Sequence, residues 1–145
     1  MDTVHGTTVA IEGAGVLLRG PSGSGKSDLA LRLIDSGGIL IADDRCVLAL
    51  EDGRVIARAP ATLRGRLEVR GLGIMTIPFH ERAALVLVVD LAGLVVERLP
   101  EAEFTDLLGI PVRCLRLAAF EASTPAKIRM ALRAIRQLVY GWDHG

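Results

Sequence analysis

The sequence predicts one α/β domain over residues 1–145, built on a mixed sheet with several hairpins rather than on a regular strand-helix-strand series. Three observations carry this. Short β-rich runs, parted by glycine-bearing turns, recur along the chain. Apolar residues at helical spacing replace them in two long segments, after Ser27 and after Thr124. No linker, repeat or low-complexity tract divides the chain.

Taken in order, Thr7 to Glu12 and Gly15 to Arg19 read as a tight hairpin around Gly13-Ala14. Leu29, Ala30, Leu33 and Ile34 then follow a helical period that Gly37-Gly38 stops. Ile39-Leu40-Ile41-Ala42 is an unbroken apolar run, as in a strand buried on both faces, and it ends in Asp43-Asp44. Cys46 to Leu50 and Val55 to Arg58 flank Asp52-Gly53, a second hairpin. Leu72 to Ile77, Leu85 to Val89, Leu94 to Glu97 and Val112 to Leu117 are further strand candidates. Pro100 to Leu108 reads as a short helix begun by proline and stopped by Gly109. Thr124-Pro125 supply the N-cap and first residue of a final helix with Ile128, Leu132, Ile135 and Leu138/Val139 on one face.

Composition excludes several function classes. The 17 basic and 17 acidic residues cancel, which argues against broad attraction to nucleic acid or an anionic membrane. The aromatic residues, 3% of the chain, offer almost no platform for stacking a nucleic-acid strand. Ala83 to Val96 is too short to span a bilayer, and Met1 to Gly6 shows no secretory signal. Cys46 and Cys114 share no metal or redox spacing and read as reduced core thiols of a cytoplasmic protein. His80 and His144 stand in no motif and read as surface residues.

Gly20, Pro21, Ser22, Gly23, Ser24, Gly25, Lys26 and Ser27 match G-x-x-x-x-G-K-[ST] in full, after a strand and at the start of a helix. Glycines let backbone N–H groups turn around phosphate oxygens, and the helix adds its positive end. Lys26 brings a point charge to the β/γ phosphates of ATP, and Ser27 is placed to ligate Mg²⁺. All other basic residues except Lys127 are arginine, so Lys26 stands out.

Asp43 and Asp44 close the strand after this helix. Two adjacent carboxylates there can divide labour, one on the metal and one on a reacting hydroxyl; as an ordinary turn they would do neither. Downstream, Glu68 and Arg70 stand beside Gly71 and Gly73 in apolar surroundings. An arginine there suits a phosphate, or a carboxylate such as Glu68. Lys127, Arg129, Arg133 and Arg136 on the last helix read as a solvated face or as a docking surface for a protein substrate.

His5-Gly6, the phosphate loop, Leu40-Ile41-Ala42-Asp43-Asp44-Arg45 and Glu68-Val69-Arg70-Gly71-Leu72-Gly73-Ile74 follow one another in a familiar order. In this the chain resembles the catalytic domain of the bacterial HPr kinase/phosphorylases, over residues 4–117 and more weakly into the last helix. The resemblance implies a P-loop fold akin to phosphoenolpyruvate carboxykinase, which agrees with a hairpin before the phosphate loop. It implies an ATP- and Mg²⁺-dependent serine kinase acting on HPr, the small phosphocarrier of the sugar phosphotransferase system, in many members also a phosphorylase. Members commonly form hexamers, so a homo-oligomer is expected. By the same resemblance Asp43 is the acid/base, His5, Lys26 and Arg70 join it in catalysis, and Asp44 and Glu68 join Ser27 around the metal; the motif leaves open which aspartate takes which role.

The chain departs from the family twice. It begins at the catalytic domain, in which it is similar to short forms of the family. After Leu117 the family's basic P-V-[KR]-P-G-R-N loop is replaced by Ala118-Ala119-Phe120-Glu121-Ala122-Ser123, so the loop tied to the reverse reaction is altered while the kinase residues remain. The competing expectations are a small-molecule kinase on the same fold and a nucleotide-sensing module without transfer.

Overall fold

The hairpin expected at the start of the chain forms, with its turn at Glu12-Gly13 rather than at Gly13-Ala14. The computed structural model describes residues 2–91, 96–137 and 141–142. After β1 (Asp2–His5), β2 (Thr7–Ile11) and β3 (Ala14–Arg19) pair antiparallel from Thr7↔Leu18 to Ile11↔Ala14. Glu12 and Gly13 between them have φ of 50° and 81°, the twist that a two-residue hairpin turn requires.

Helix α1 (Lys26–Asp35) buries Leu29, Ala30 and Leu33. It closes in the paired hydrogen bonds of a Schellman stop, Gly38 N–H to Leu33 O at 2.8 Å and Gly37 N–H to Ile34 O at 3.0 Å. The chain continues through β4 (Ile39–Ala42), β5 (Arg45–Glu51) and β6 (Arg54–Arg58), the latter two joined at the expected Asp52-Gly53 turn. A separate hairpin follows, β7 (Arg66–Val69) with β8 (Gly73–Thr76). Then come β9 (Ala83–Asp90), β10 (Glu103–Leu107), β11 (Ile110–Arg116) and α2 (Thr124–Ile135).

Among the described residues nine strands form one mixed sheet in the order β1-β5-β6-β9-β3-β2-β4, with β11 also on β9 and β10 on β11. Strand β9 organises it. One edge runs parallel to β3, from Ala14↔Ala84 to Arg19↔Asp90. The other edge is divided, taking β6 antiparallel at Ala83 and Ala84 and β11 parallel from Leu87 to Asp90. The C-terminal ends of three parallel strands therefore meet at Arg19, Asp90 and Arg116.

Alternate residues of the central strands serve two cores. Val9, Ile11, Val16, Leu18, Leu87 and Val89 pack with Leu29 and Leu33 of α1 and Ile128 and Leu132 of α2. Ala10, Leu17 and Val88 pack on the other side with Leu48, Val55, Leu107 and Val112, strand residues of the same sheet curled over them. Burial on both faces is why these strands read as continuous apolar runs. No described helix is long and apolar enough to cross a membrane.

Three expectations need correction. The segment expected as a helix from Pro100 to Leu108 contains strand β10, paired with β11 from Glu103↔Cys114 to Leu107↔Ile110. Phe104, Leu107 and Leu108 imitate helical spacing, but Leu108 and Gly109 have φ of 53° and 84° and make a hairpin turn; Gly109 is a turn residue, not a helix stop. Thr124 is not the N-cap of α2: Ser123 stands there, and the Thr124 hydroxyl donates to the Ala118 carbonyl. The β1 strand, paired with β5 from Asp2↔Leu48 to His5↔Arg45, was not anticipated. The expected strand Leu94 to Glu97 lies partly outside the described residues, and Val96 and Glu97 are not in a strand. Leu138, Val139 and His144 lie outside them too.

Candidate active site

Strand β3 delivers the chain to the phosphate loop and α1 receives it, so residues 20–25 are held at both ends. At the strand end, Leu91 N–H donates to Arg19 O at 2.8 Å, and the Arg19 guanidinium grips the Asp90 carboxylate at 2.8 and 3.0 Å. At the helix end, Gly25 is the N-cap with φ 97°. Glycine is required there twice over: the conformation is left-handed, and a Cβ would lie 2.8 Å from both the Ala119 Cβ and the Phe120 Cζ. Inside the loop the buried Lys26 Nζ donates to Gly20 O at 2.7 Å and Pro21 O at 3.1 Å. Among the described residues the buried Ser24 Oγ has no hydrogen-bond partner.

The acidic pair arrives from β4 and splits. Asp43 is 8% exposed. Its Oδ1 accepts from Thr7 Oγ1 and from Ser27 Oγ, each at 2.9 Å, and its Oδ2 accepts the Glu68 backbone N–H at 3.0 Å. Asp44 has φ 67°, a left-handed conformation that turns its side chain away from its neighbour's. Its carboxylate is 64% exposed and meets His5 Nε2 at 2.8 Å. Gly6 N–H donates to Asp44 O at 2.9 Å, and Asp44 N–H to Thr7 Oγ1 at 3.3 Å, so one short segment, His5 to Thr7, holds both aspartates.

These groups line one cleft of about 260 Å³, with Ser22, Gly23, Gly25, Lys26, Ser27, His5, Asp44, Glu68 and Arg70 on its walls. Asp43 stands behind Ser27 rather than on the surface. Among the described residues the side chains of Glu68 and Arg70 make no ion pair, with each other or with other groups. His80 is exposed and off the cleft. Cys46 and Cys114 are buried and unbridged, and burial pushes both thiols up. The sequence reading missed two residues here: Thr7, whose signal was its place two residues after His5, and Phe120, an aromatic in an otherwise aromatic-poor chain.

Whether Mg²⁺ and ATP fit is decided by the donors. No group of three or more His, Cys, Asp or Glu among the described residues is set to hold a metal unaided. Mg²⁺ in phosphoryl-transfer sites takes one or two protein oxygens and completes its shell with phosphates and water. The Ser27 hydroxyl and Asp43 carboxylate, 2.9 Å apart at the end of a phosphate loop, suit that arrangement. The fixed charge of Lys26, on the cleft wall, suits the phosphates.

The α2 basic residues are engaged within the fold. Arg129 Nη2 donates to Leu33 O and Ser36 O at the end of α1, at 3.0 and 2.9 Å. Arg133 pairs with Glu12 at 3.3 Å, Arg136 donates to Glu12 O at 3.0 Å, and Lys127 faces Glu121 at 3.6 Å.

Comparison with known proteins agrees with this geometry. The family model of the HPr Serine kinase C-terminal domain matches residues 1–129. An HPr kinase/phosphorylase of Clostridium tetani is 36% identical over 126 residues, 79% of this chain and 41% of that protein. One of Bordetella petrii is 40% identical over 128 residues, 79% of this chain and 42% of that protein. The solved structure of the Hpr(Ser) kinase/phosphatase from Coxiella burnetii matches with a TM-score of 0.81 at 26% identity, covering 94% of this chain and 92% of that one. The chain spans about two fifths of the length of these curated relatives. With the phosphate loop, the split aspartates and the mixed sheet in register, the chain belongs to the HPr serine kinase C-terminal domain family.

Proposed function

We propose that this chain is the phosphotransfer module of an ATP-dependent serine kinase whose acceptor is an HPr-like phosphocarrier protein. The observation that carries it is the division of Asp43 and Asp44 between two settings beside one phosphate loop. Asp43 has both oxygens engaged by Thr7, Ser27 and the Glu68 amide and suits the metal side. Asp44 faces the cleft with His5 and suits a reacting hydroxyl. This reverses the roles that the resemblance gave the two residues.

In the forward direction Asp44 takes the proton of the acceptor serine as its oxygen attacks the γ-phosphorus, and His5 holds the carboxylate in place. Lys26 supplies positive charge and the loop amides cradle the phosphates. Ser27 and Asp43 would hold Mg²⁺, with Glu68 on the adjoining wall; the ion, when bound, neutralises charge on the β and γ phosphates. Arg70, without an ion pair among the described residues, lines the same cleft and would face the transferred group. In the reverse direction inorganic phosphate is the acceptor and Asp44 returns the proton to serine. The reading implies a cytoplasmic setting and, as in the family, a homo-oligomer.

The test is transfer of labelled γ-phosphate from Mg-ATP to the purified HPr-like proteins of the source organism. Serine phosphorylation is expected, falling about 10²- to 10⁴-fold in Asp44→Asn with nucleotide binding retained. Retained ATP binding with no transfer to any carrier would overturn it in favour of a metabolite kinase or a nucleotide sensor.

A further inference from the structure

The segment Ala118–Ser123 carries an exposed phenylalanine against the phosphate loop. Phe120 is 69% exposed and lines the cleft. Its Cζ and Cε1 lie 2.8 and 3.1 Å from where a Gly25 Cβ would stand, so the ring edge rests on the last loop residue before α1. The acidic groups meet the loop elsewhere, at Ser27.

The ring is exposed and yet its backbone is fixed. Arg32 of α1 donates through Nη2 to the Ala119 carbonyl and through Nη1 to the Glu121 carbonyl at 3.1 Å, clamping the residues on both sides of Phe120. Asp28 holds that guanidinium at 3.1 Å, one turn back on the same helix. Thr124 ties Ala118, and Lys127 faces Glu121 at 3.6 Å. A surface aromatic with no task needs no such clamp. The loop also leaves β11, whose end lies beside the ends of β9 and β3 at Arg116, Asp90 and Arg19. In α/β sheets, ligands lie outside the carboxyl ends of parallel strands.

We propose that Phe120 is the platform on which the base of the bound nucleotide stacks. This rests on the phosphate loop's taking a nucleotide, and it adds the element that separates a nucleoside triphosphate from bare polyphosphate. A ring already held at the cleft wall gives up little freedom on binding, and any base has a face to offer it. Phe120 is therefore a specificity residue for nucleotides as a class rather than for one base.

The test is calorimetry of the full chain with Mg-ATP, Mg-GTP and Mg-tripolyphosphate, the last having no base. Phe120→Ala is expected to weaken both nucleotides about 5- to 150-fold and to leave tripolyphosphate unchanged. Phe120→Trp is expected to keep nucleotide affinity, with indole fluorescence changed by ATP and not by tripolyphosphate. Unchanged ATP affinity in Phe120→Ala, or equal loss for all three ligands, would overturn the platform while leaving the phosphate loop standing. A wild-type chain that binds none of the three overturns the nucleotide reading itself, and the platform with it.

Discussion

Arg19 and Asp90 close a two-bond ion pair across the parallel register of β3 and β9, Nε to Oδ1 at 2.8 Å and Nη2 to Oδ2 at 3.0 Å. Arg19 immediately precedes the phosphate loop, and its Nη2 also donates to Thr105 Oγ1 at 3.0 Å. The Cys114 thiol adds a contact to Asp90 Oδ2 at 3.3 Å. Burial raises the Asp90 carboxyl, but the Arg19 and Cys114 contacts outweigh it and hold the group below the usual carboxylate range.

A carboxyl lowered on folding stabilises the fold above its unfolded value of about 3.9 and loses that contribution as pH falls through the lower folded value. Asp90→Asn is therefore expected to cost about 1–2 kcal/mol at pH 7, allowing for the solvent that reaches both groups. Urea titrations at pH 7 and pH 3 check it. The gap between variant and parent should narrow at the lower pH, and an equal gap at both would rule out the ion pair as its source.

Exchanging the roles of the two aspartates predicts opposite kinetic signatures. Asp44→Asn and His5→Ala should lower kcat with the Kd for Mg-ATP unchanged, since the proposed function puts both groups on the acceptor side. Asp43→Asn should weaken nucleotide binding in the presence of Mg²⁺ and much less in EDTA, because its oxygens serve Ser27. Titrations of each variant with and without the metal decide between them.

Gly25→Ala forces a left-handed alanine at φ 97° against Ala119 and Phe120. The backbone alone should cost about 1–2 kcal/mol. Displacing the loop should also abolish tripolyphosphate binding, measured by calorimetry. A stable variant with full phosphate affinity would mean that the loop has more room than the contacts allow.

Arg129→Ala removes the guanidinium that caps α1 through Leu33 O, Ser36 O and Ser36 Oγ. A loss of about 1–3 kcal/mol is expected in thermal or urea unfolding, with the KM for a protein acceptor unchanged. A raised KM at unchanged stability would favour the docking role instead.

What could be read from the sequence was whatever is local. The phosphate loop, the Asp52-Gly53 turn and the Gly37-Gly38 stop are short-range signals, and each element stands where it was expected. Strand β10 was misread because its apolar spacing suits a helix, and only pairing with β11 decides the matter. Asp43, Asp44 and His5 were all recognisable as candidates. Their division of labour was not, since it depends on one left-handed residue, Asp44, and on β1 laying His5 opposite Arg45. Phe120 was seen as a departure from a pattern, and its meaning required the contact with Gly25.

The parallel pairing of β3 with β9 has a consequence for how the protein is made. Arg19 waits for a partner 71 residues further along the chain. On the ribosome, the β2–β3 hairpin and α1 can emerge and associate while one edge of β3 still lacks its neighbour. The phosphate loop is framed only after Ala83–Asp90 has left the exit tunnel. Until then a nucleotide of the kind proposed for this loop would have nothing to stabilise.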